Sequence, residues 1–190
     1  MPYRHPRNVA EGESLATRLA GETSIRALPA PNPNRPSITP GYGIAKGAKG
    51  LLDWPWVSER MERSHNYWIG TVRADGRPHV MPVWGVWVDE TFRFGTDPGS
   101  VKARNLTRDP RVVVHLESAD ECVIFEGVAE PFLSPERDVF EAVADAYEAK
   151  YGGFRPEYPS KPGWFSLRHE VAFAWLESDY PNSATRWRFS

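Results

Sequence analysis

Asn66-Tyr67-Trp68-Ile69-Gly70-Thr71-Val72-Arg73 opens the stretch whose reading decides the fold. It runs through Ala74-Asp75-Gly76-Arg77 into Pro78-His79-Val80-Met81-Pro82-Val83-Trp84-Gly85-Val86-Trp87-Val88. Asp89-Glu90 separates that run from Thr91-Phe92-Arg93-Phe94-Gly95-Thr96. Two tight-turn signals, Asp75-Gly76 and Asp89-Glu90, therefore join three runs with strand character. Asp97-Pro98-Gly99-Ser100 leads into a basic helical segment, Val101 to Leu106, and Asp109 to Glu117 forms a fourth strand-like run. The second run, Pro78 to Val88, is almost wholly apolar, so burial of both its faces is expected. Pro82 has no amide donor, which predicts an edge or a bulge there.

Downstream, Glu121 to Glu130 reads as a strand in which Cys122, Ile124, Gly127 and Ala129 suit close packing. Ser134-Pro135 marks a helix start. Val139, Phe140, Val143 and Tyr147 then repeat at helical spacing, and Gly152-Gly153 ends the helix. Phe154 to Pro162 is a Pro-rich loop. Glu170 to Glu177 and Ala184 to Phe189 read as the last strands. Upstream, Asp53 caps a short helix reaching Ser64, with Pro55 in its first turn and Val57 and Met61 on one face. Six or seven strands with these helices predict a mainly β (α+β) domain over residues 51–190, an antiparallel barrel with helical decoration.

Residues 1–50 differ in composition, with seven prolines and three acids against seven Lys plus Arg. A weak helix is expected near Glu13 to Ala20, with Leu15 and Leu19 on one side. Five prolines from Pro29 to Pro40 exclude regular structure there. The segment reads as an extended arm lying on the body or on a partner subunit, the alternative being a disordered tail. Gly41 to Gly50 is Gly-rich and carries Lys46 and Lys49. It reads as a flexible loop, with contact to an anionic ligand as the alternative. It lacks the Walker order, since Lys46 precedes Gly47 and no Ser or Thr follows the lysine.

A chain of 190 residues with 41% hydrophobic composition fits one domain with a full core. A net charge of -2 argues against general attraction to nucleic acid. No apolar run is long enough to span a membrane, and the N-terminus has no apolar signal core. The single Cys122 fits a reducing cytoplasm. Eight tryptophans suit cores, interfaces and flat aromatic ligands. The five histidines have no metal-ligand spacing, and His79 and His115 read as packed neutral side chains.

Ser100 to Leu106 is the segment most able to carry chemistry. Ser100 can cap a helix whose first N–H groups are free donors, and the dipole adds positive charge there. Lys102 and Arg104 add full charges, and Asn105 adds an amide. Gly99 permits close backbone approach. An anion site and a capped surface helix both fit this pattern.

Taken together, Asp75-Gly76-Arg77-Pro78-His79-Val80-Met81-Pro82-Val83-Trp84, Ser100-x-Lys102-x-Arg104-Asn105-Leu106 and Asp109-Pro110-Arg111-Val112 resemble the pyridoxamine-phosphate-oxidase-like superfamily of split β-barrels. Within it they are similar to the flavin/deazaflavin oxidoreductases, and Thr185-Arg186-Trp187-Arg188-Phe189 resembles the C-terminal strand of those proteins. The resemblance covers about residues 53–189. It implies a homodimer with two cofactor sites at the subunit interface. It also implies that the backbone from Val80 through Met81, Pro82 and Val83 to Trp84 follows the edge of the tricyclic ring. Ser100, Lys102 and Asn105 would take the phosphate, with Thr96 as a further contact, and Arg186 and Trp187 would reach the ring of the partner's cofactor. Pyridoxamine phosphate oxidases themselves place an Arg and a Lys on the second strand, where Val80 and Gly85 stand here. They place an Arg before the helix lysine, where Val101 stands. These departures argue against vitamin B6 oxidation and place coenzyme F420 ahead of FMN.

Three readings follow. The first is a cytoplasmic oxidoreductase that moves a hydride between F420 or FMN and a small conjugated substrate. The absence of an acid/base set is tolerable, because the cofactor carries the hydride. The second is a non-enzymatic carrier of flavin, F420 or haem in the same fold. The third is a dimeric structural or regulatory protein without a ligand.

Overall fold

The computed structural model describes residues 30–39, 41–133 and 135–189. The weak helix expected at Glu13 to Ala20 lies outside these residues, as does Ser134. Helix α1 is Trp54–Arg63, capped as expected by Asp53, whose Oδ1 accepts the Trp56 N–H at 3.0 Å. Four strands follow, β1 Tyr67–Val72, β2 Pro78–Val83, β3 Gly85–Val88 and β4 Thr91–Gly95. Helix α2 is Val101–Arg108, and β5 Arg111–Leu116 and β6 Glu121–Pro131 come next. Helix α3, Arg137–Lys150, leads to β7 Trp164–Leu176, a short helix α4 Tyr180–Ser183 and β8 Thr185–Arg188.

Both predicted turns form. Gly76 has φ +84°, and the Arg73 carbonyl accepts the Gly76 N–H at 2.9 Å. Asp89 and Glu90 both take positive φ, 50° and 55°, the conformation of a two-residue hairpin turn that follows strand twist. Glu90 repays the strain of that conformation, since its carboxylate accepts from Trp54 Nε1 at 2.5 Å and Ser58 Oγ at 2.6 Å and so ties α1 to the hairpin.

All strand pairs are antiparallel, in the order β2-β1-β5-β6-β7-β4-β3, with β8 added on β7. The curled sheet has β2 at one edge and β3 at the other, although Trp84 alone separates them in sequence. The single second strand expected from the sequence is thus two strands, and hydrogen bonds do not close the expected barrel across this seam. Pro82 lies in an edge strand, as its missing donor requires. The expected burial of both faces is overturned for β2, where Val80 and Met81 are 50% and 43% exposed. An apolar run signals that something covers it, not that its own chain does.

The curl encloses one core, with Tyr67, Ile69, Phe92, Phe94, Val114, Phe125 and Trp187 at its centre and α1 against it through Val57 and Met61. A second apolar cluster, including Val86, Phe140, Val143 and Tyr147, binds α3 to the outside of β3 and the start of β7. The predicted α3 stripe is therefore correct, but its start is not. The helix begins at Arg137 after Glu136, which makes no side-chain cap bond, so Pro135 lies before it. Strand β7 begins at Trp164, six residues before the expected Glu170, because Trp164 to Arg168 pairs with β4 and β6. Cys122 is buried, and burial pushes its thiol up to about 12.

The described part of the arm lies on the body. Asn34 bridges to Arg186 by two backbone hydrogen bonds. The Arg35 guanidinium donates to the carbonyls of Gly47, Lys49, Asn182 and Ala184. The Gly41 to Gly50 segment is thereby pinned rather than free, and Gly50 at φ +87° lies against the Asn182 carbonyl.

The last turn of α3 clamps the seam. Tyr147 Oη donates to the Trp84 carbonyl at 3.1 Å. Tyr151 Oη accepts the Gly85 N–H at 2.8 Å and lies 2.8 Å from the Gly85 and His65 carbonyls. Lys150 Nζ reaches the Ser64 carbonyl at 3.0 Å and Tyr67 Oη at 2.9 Å. Tyr151→Phe leaves the buried Gly85 N–H without an acceptor, with an expected loss of about 1–3 kcal/mol in urea denaturation. Lys150 gives a check through pH. Burial drives its ammonium from 10.5 down to about 8, only partly offset by Glu62. Above pH 8 the unfolded chain keeps a proton that the folded chain releases, so this residue's contribution to stability rises with pH. Burial raises the pKa values of Tyr67, Tyr147 and Tyr151, which act oppositely once unfolded tyrosine ionises at 10. Between pH 8 and 10 the wild type should therefore gain stability relative to Lys150→Met, and a pH-independent difference would refute the burial of that charge.

Candidate functional site

The meander hairpin and α2 meet at one mouth of the curl. Ser100 Oγ accepts the Ala103 N–H at 3.1 Å, so the predicted cap is present. Thr96 Oγ1 lies 3.2 Å from Ser100 Oγ, joining the end of β4 to the helix start. The first turn of α2 contains no acidic residue.

Asn105 faces inward. It is 3% exposed, and its Nδ2 donates to Thr71 Oγ1 at 3.0 Å. Thr71 Oγ1 in turn lies 3.3 Å from His79 Nδ1. The amide predicted to contact a cofactor thus fastens α2 to β1 and β2. Thr71 and His79 are cross-strand partners. The Ala74-Asp75-Gly76 loop sets that register, so counting pairs outward from the turn places His79 on the same face as Thr71.

Around this anchor three basic groups converge. Lys102 is partly buried, and desolvation lowers its ammonium pKa. The His79 imidazole pKa is lowered by desolvation and then by the charges of Arg73 and Lys102. Among the described residues, none of the three has a salt-bridge partner. The nearby Arg104 and Arg108 instead donate to the Gly99 and Val72 carbonyls. Arg73 and His79 were missed in the sequence, His79 because a strand histidine reads as packing. The result is a basic group just past the end of β1, on β2 and on α2, in which Asp75 of the β1–β2 turn feels the charge of Arg73 while Lys102 has no salt-bridge partner among the described residues.

Beside it runs the free edge of β2, with unpaired backbone donors and acceptors on the side away from β1. Val80, Met81 and Pro82 are exposed there, while Val83 turns into the core. Trp84, 47% exposed, stacks on Tyr151 at 4.5 Å and 11°. Trp84 and Thr96 line one cavity of about 300 Å³.

The two C-terminal candidates lie elsewhere. Trp187 is fully buried, its ring 5.4 Å from Trp54. Arg186 Nε and Nη2 donate to Asn34 Oδ1 at 2.8 and 2.6 Å. One chain does not bring either residue to the cluster on α2. No group of three or more His, Cys, Asp and Glu side chains is placed to hold a metal among the described residues.

The sequence profile of pyridoxamine 5'-phosphate oxidase matches residues 55–176, more than half of the chain. The chain belongs to the pyridoxamine 5'-phosphate oxidase family. Solved members and relatives of the fold agree in shape. The family member described here is similar to a conserved hypothetical protein from Mycobacterium tuberculosis at 26% identity and a TM-score of 0.56, over 70% of this chain and 89% of that one. It shares its fold with a candidate 5-nitroimidazole antibiotic resistance protein from Bacteroides thetaiotaomicron, at 12% identity and a TM-score of 0.53, over 71% and 84% of the two chains. An F420 reductase matches at 24% identity and a TM-score of 0.47, over 60% and 94%. No curated relative matches the chain. No helix among the described residues is long and apolar enough to cross a membrane.

Asn105 and Lys102 should separate cleanly in stability measurements without ligand. Asn105→Ala removes a buried donor from Thr71, with an expected loss of about 1–3 kcal/mol. Lys102→Ala removes a partly buried ammonium without an ion-pair partner among the described residues, so stability should change by less than about 1 kcal/mol, toward greater stability. Equal losses in chemical denaturation would refute these separate roles.

Proposed function

We propose that this family member is an oxidoreductase that uses F420 or FMN, F420 preferred, to pass a hydride to or from a small conjugated substrate. The observation that carries this reading is the partly desolvated Lys102, unpaired among the described residues, with Arg73 and the His79 imidazole near it, beside the open edge of β2. Desolvating the Lys102 ammonium without an ion-pair partner raises the energy of the free protein, and a bound phosphate would offset it. These three residues would hold the anionic part of the cofactor, and the free backbone of β2 would meet the polar edge of its ring. When bound, the cofactor supplies the hydride chemistry. The chain's share is orientation and exclusion of water by Met81 and Trp84. Val80 on β2 and Gly85 on β3 offer no charge, so the grip rests on residues that suit a phosphodiester better than the dianion of FMN.

The same reading calls for a second copy. On the outer face of the sheet a cross-strand row runs Pro82, Trp68, His115, Ile124, Phe173, Arg186. A parallel row carries Val80, Gly70 and Val113. Val80 and Val113 are 50% and 37% exposed, as expected for an apolar face that a partner covers. A two-fold axis on this face would set the Arg186 end of the row against the β2 end of its mate and place that guanidinium near the partner's site.

Titration of the purified protein with F420 and FMN, followed by fluorescence, tests the reading. F420 should bind more tightly, and FMN tighter by tenfold or more would reverse the order. Lys102→Ala should weaken F420 binding by about tenfold to a hundredfold, since a charge-assisted contact contributes about 1.5–3 kcal/mol. The loss should shrink as salt rises. Val101→Ala, one residue away and uncharged, should bind as wild type does. Light scattering should give a dimer, and a monomer mass at micromolar concentration would remove the partner's Arg186 from the site.

A further inference from the structure

We propose that the cavity between β4 and α3 is a binding site for a flat, uncharged aromatic ring. The cations described above, Arg73 and Lys102, lie just past β1 and on α2, whereas the walls of this cavity are aromatic and already locked. Trp164 pairs across the strands with Gly95, where an added Cβ would come within 2.9 Å of the indole. Glycine at that position lets the indole lie against the strand and leaves the space in front of it open. Tyr147 meets Trp164 edge-on at 5.0 Å and 73°, and meets Phe154 at 6.0 Å and 64°. Phe154 meets Trp84 at 6.3 Å and 65°, and Trp84 is backed by its stack on Tyr151. Edge-on contacts leave ring faces free for a further ring.

The hydroxyl of Tyr147 is committed to the Trp84 carbonyl, so the ring and not the oxygen serves the cavity. Trp84 and Phe154 remain 47% and 48% exposed at the entrance, apolar surface that a ligand would cover. Two polar groups fix what the ring can carry. Thr96 lies on one side, and Asp97 is the only charged side chain in the lining. Asp97 Oδ1 accepts the Gly99 N–H at 2.7 Å, and its other oxygen has no partner among the described residues. A ligand N–H or O–H donor suits that oxygen, and a carboxylate on the ring would be repelled. A volume of about 300 Å³ is at the small end for ligand sites and suits one or two fused rings.

Ring binding stands apart from the cofactor reading, but the identity of the ring, substrate or cofactor, rests on it. Calorimetry on the full chain with indole, quinoline and indole-3-carboxylate tests the proposal. Indole and quinoline should bind, and indole-3-carboxylate should bind at least about tenfold more weakly. Phe154→Ala should weaken indole by about tenfold with an unchanged melting temperature, since Phe154 is half-exposed. Asp97→Asn keeps the oxygen that holds Gly99 and should erase the discrimination against the carboxylate, which non-specific adhesion would not do. A repeat with saturating F420 separates the sources. Retained indole binding assigns the cavity to a substrate ring, and lost binding assigns it to the cofactor's own ring. No binding of indole or quinoline at millimolar concentration, or binding that neither variant changes, overturns the proposal. If the rings bind but F420 and FMN do not, the cofactor reading fails and the cavity stands.

Discussion

The structure depends on what happens at Trp84 and Gly85. There the chain leaves one edge of the sheet and joins the other, so the two edges must stay side by side without a hydrogen-bonded ladder between them. The last turn of α3 makes this stable. Tyr147 and Tyr151 satisfy the Trp84 and Gly85 backbone, and Lys150 ties the same turn to the end of α1 and the start of β1. Glycine is required at the crossing, because a Cβ on Gly85 would collide with the Phe92 ring in the core. A buried cluster that satisfies several backbone groups at once is worth more than its separate bonds, since losing one member strands the others. The open edge of β2, the mouth beside α2 and the aromatic cavity all follow from a seam held by side chains rather than by strand pairing.

Electrostatics then divides the surface around the seam. On the α2 side, Arg73, His79 and Lys102 gather with Asp75 near only Arg73 of the three, and Asn105 and Thr71 hold their platform still from beneath. On the α3 side the lining is aromatic with one acid, Asp97. Trp84 borders both. In the proposed reading, an anionic chain and a neutral ring would be sorted to different sides of one residue. Preorganised, partly desolvated charge favours a matching ion more than the same charges would in water.

Much of this was legible in the sequence, where local rules govern. The turns at Asp75-Gly76 and Asp89-Glu90, the caps at Asp53 and Ser100, and the stripe on α3 depend on neighbours within a few residues, and each formed. What failed depended on distant partners. The apolarity of Pro78 to Val88 is the same whether a strand is covered by its own chain or by another, so the break at Trp84 and the exposure of Val80 and Met81 could not be read from it. Asn105 fitted the phosphate motif equally well as a ligand or as an anchor. Only the proximity of Thr71, 34 positions earlier, makes it an anchor. Arg73 and His79 were overlooked because no spacing rule joins them to Lys102, although the register set by the Gly76 turn brings His79 opposite Thr71.

The C-terminal strand shows how one motif can divide its work. In Thr185-Arg186-Trp187-Arg188 the side chains alternate, so neighbours must serve opposite faces. Trp187 faces inward, fully buried beneath α1, and fixes where β8 lies. Arg186 consequently faces outward, at the end of the row that begins at Pro82. Asn34 holds its guanidinium from one side with both hydrogen bonds going to a single oxygen, so donors of a five-donor group remain. The tryptophan therefore acts on any site only through the arginine it orients. That arginine is separated from its own chain's basic group by the width of the sheet, so in the proposed dimer its remaining donors would serve the partner's site across the two-fold interface.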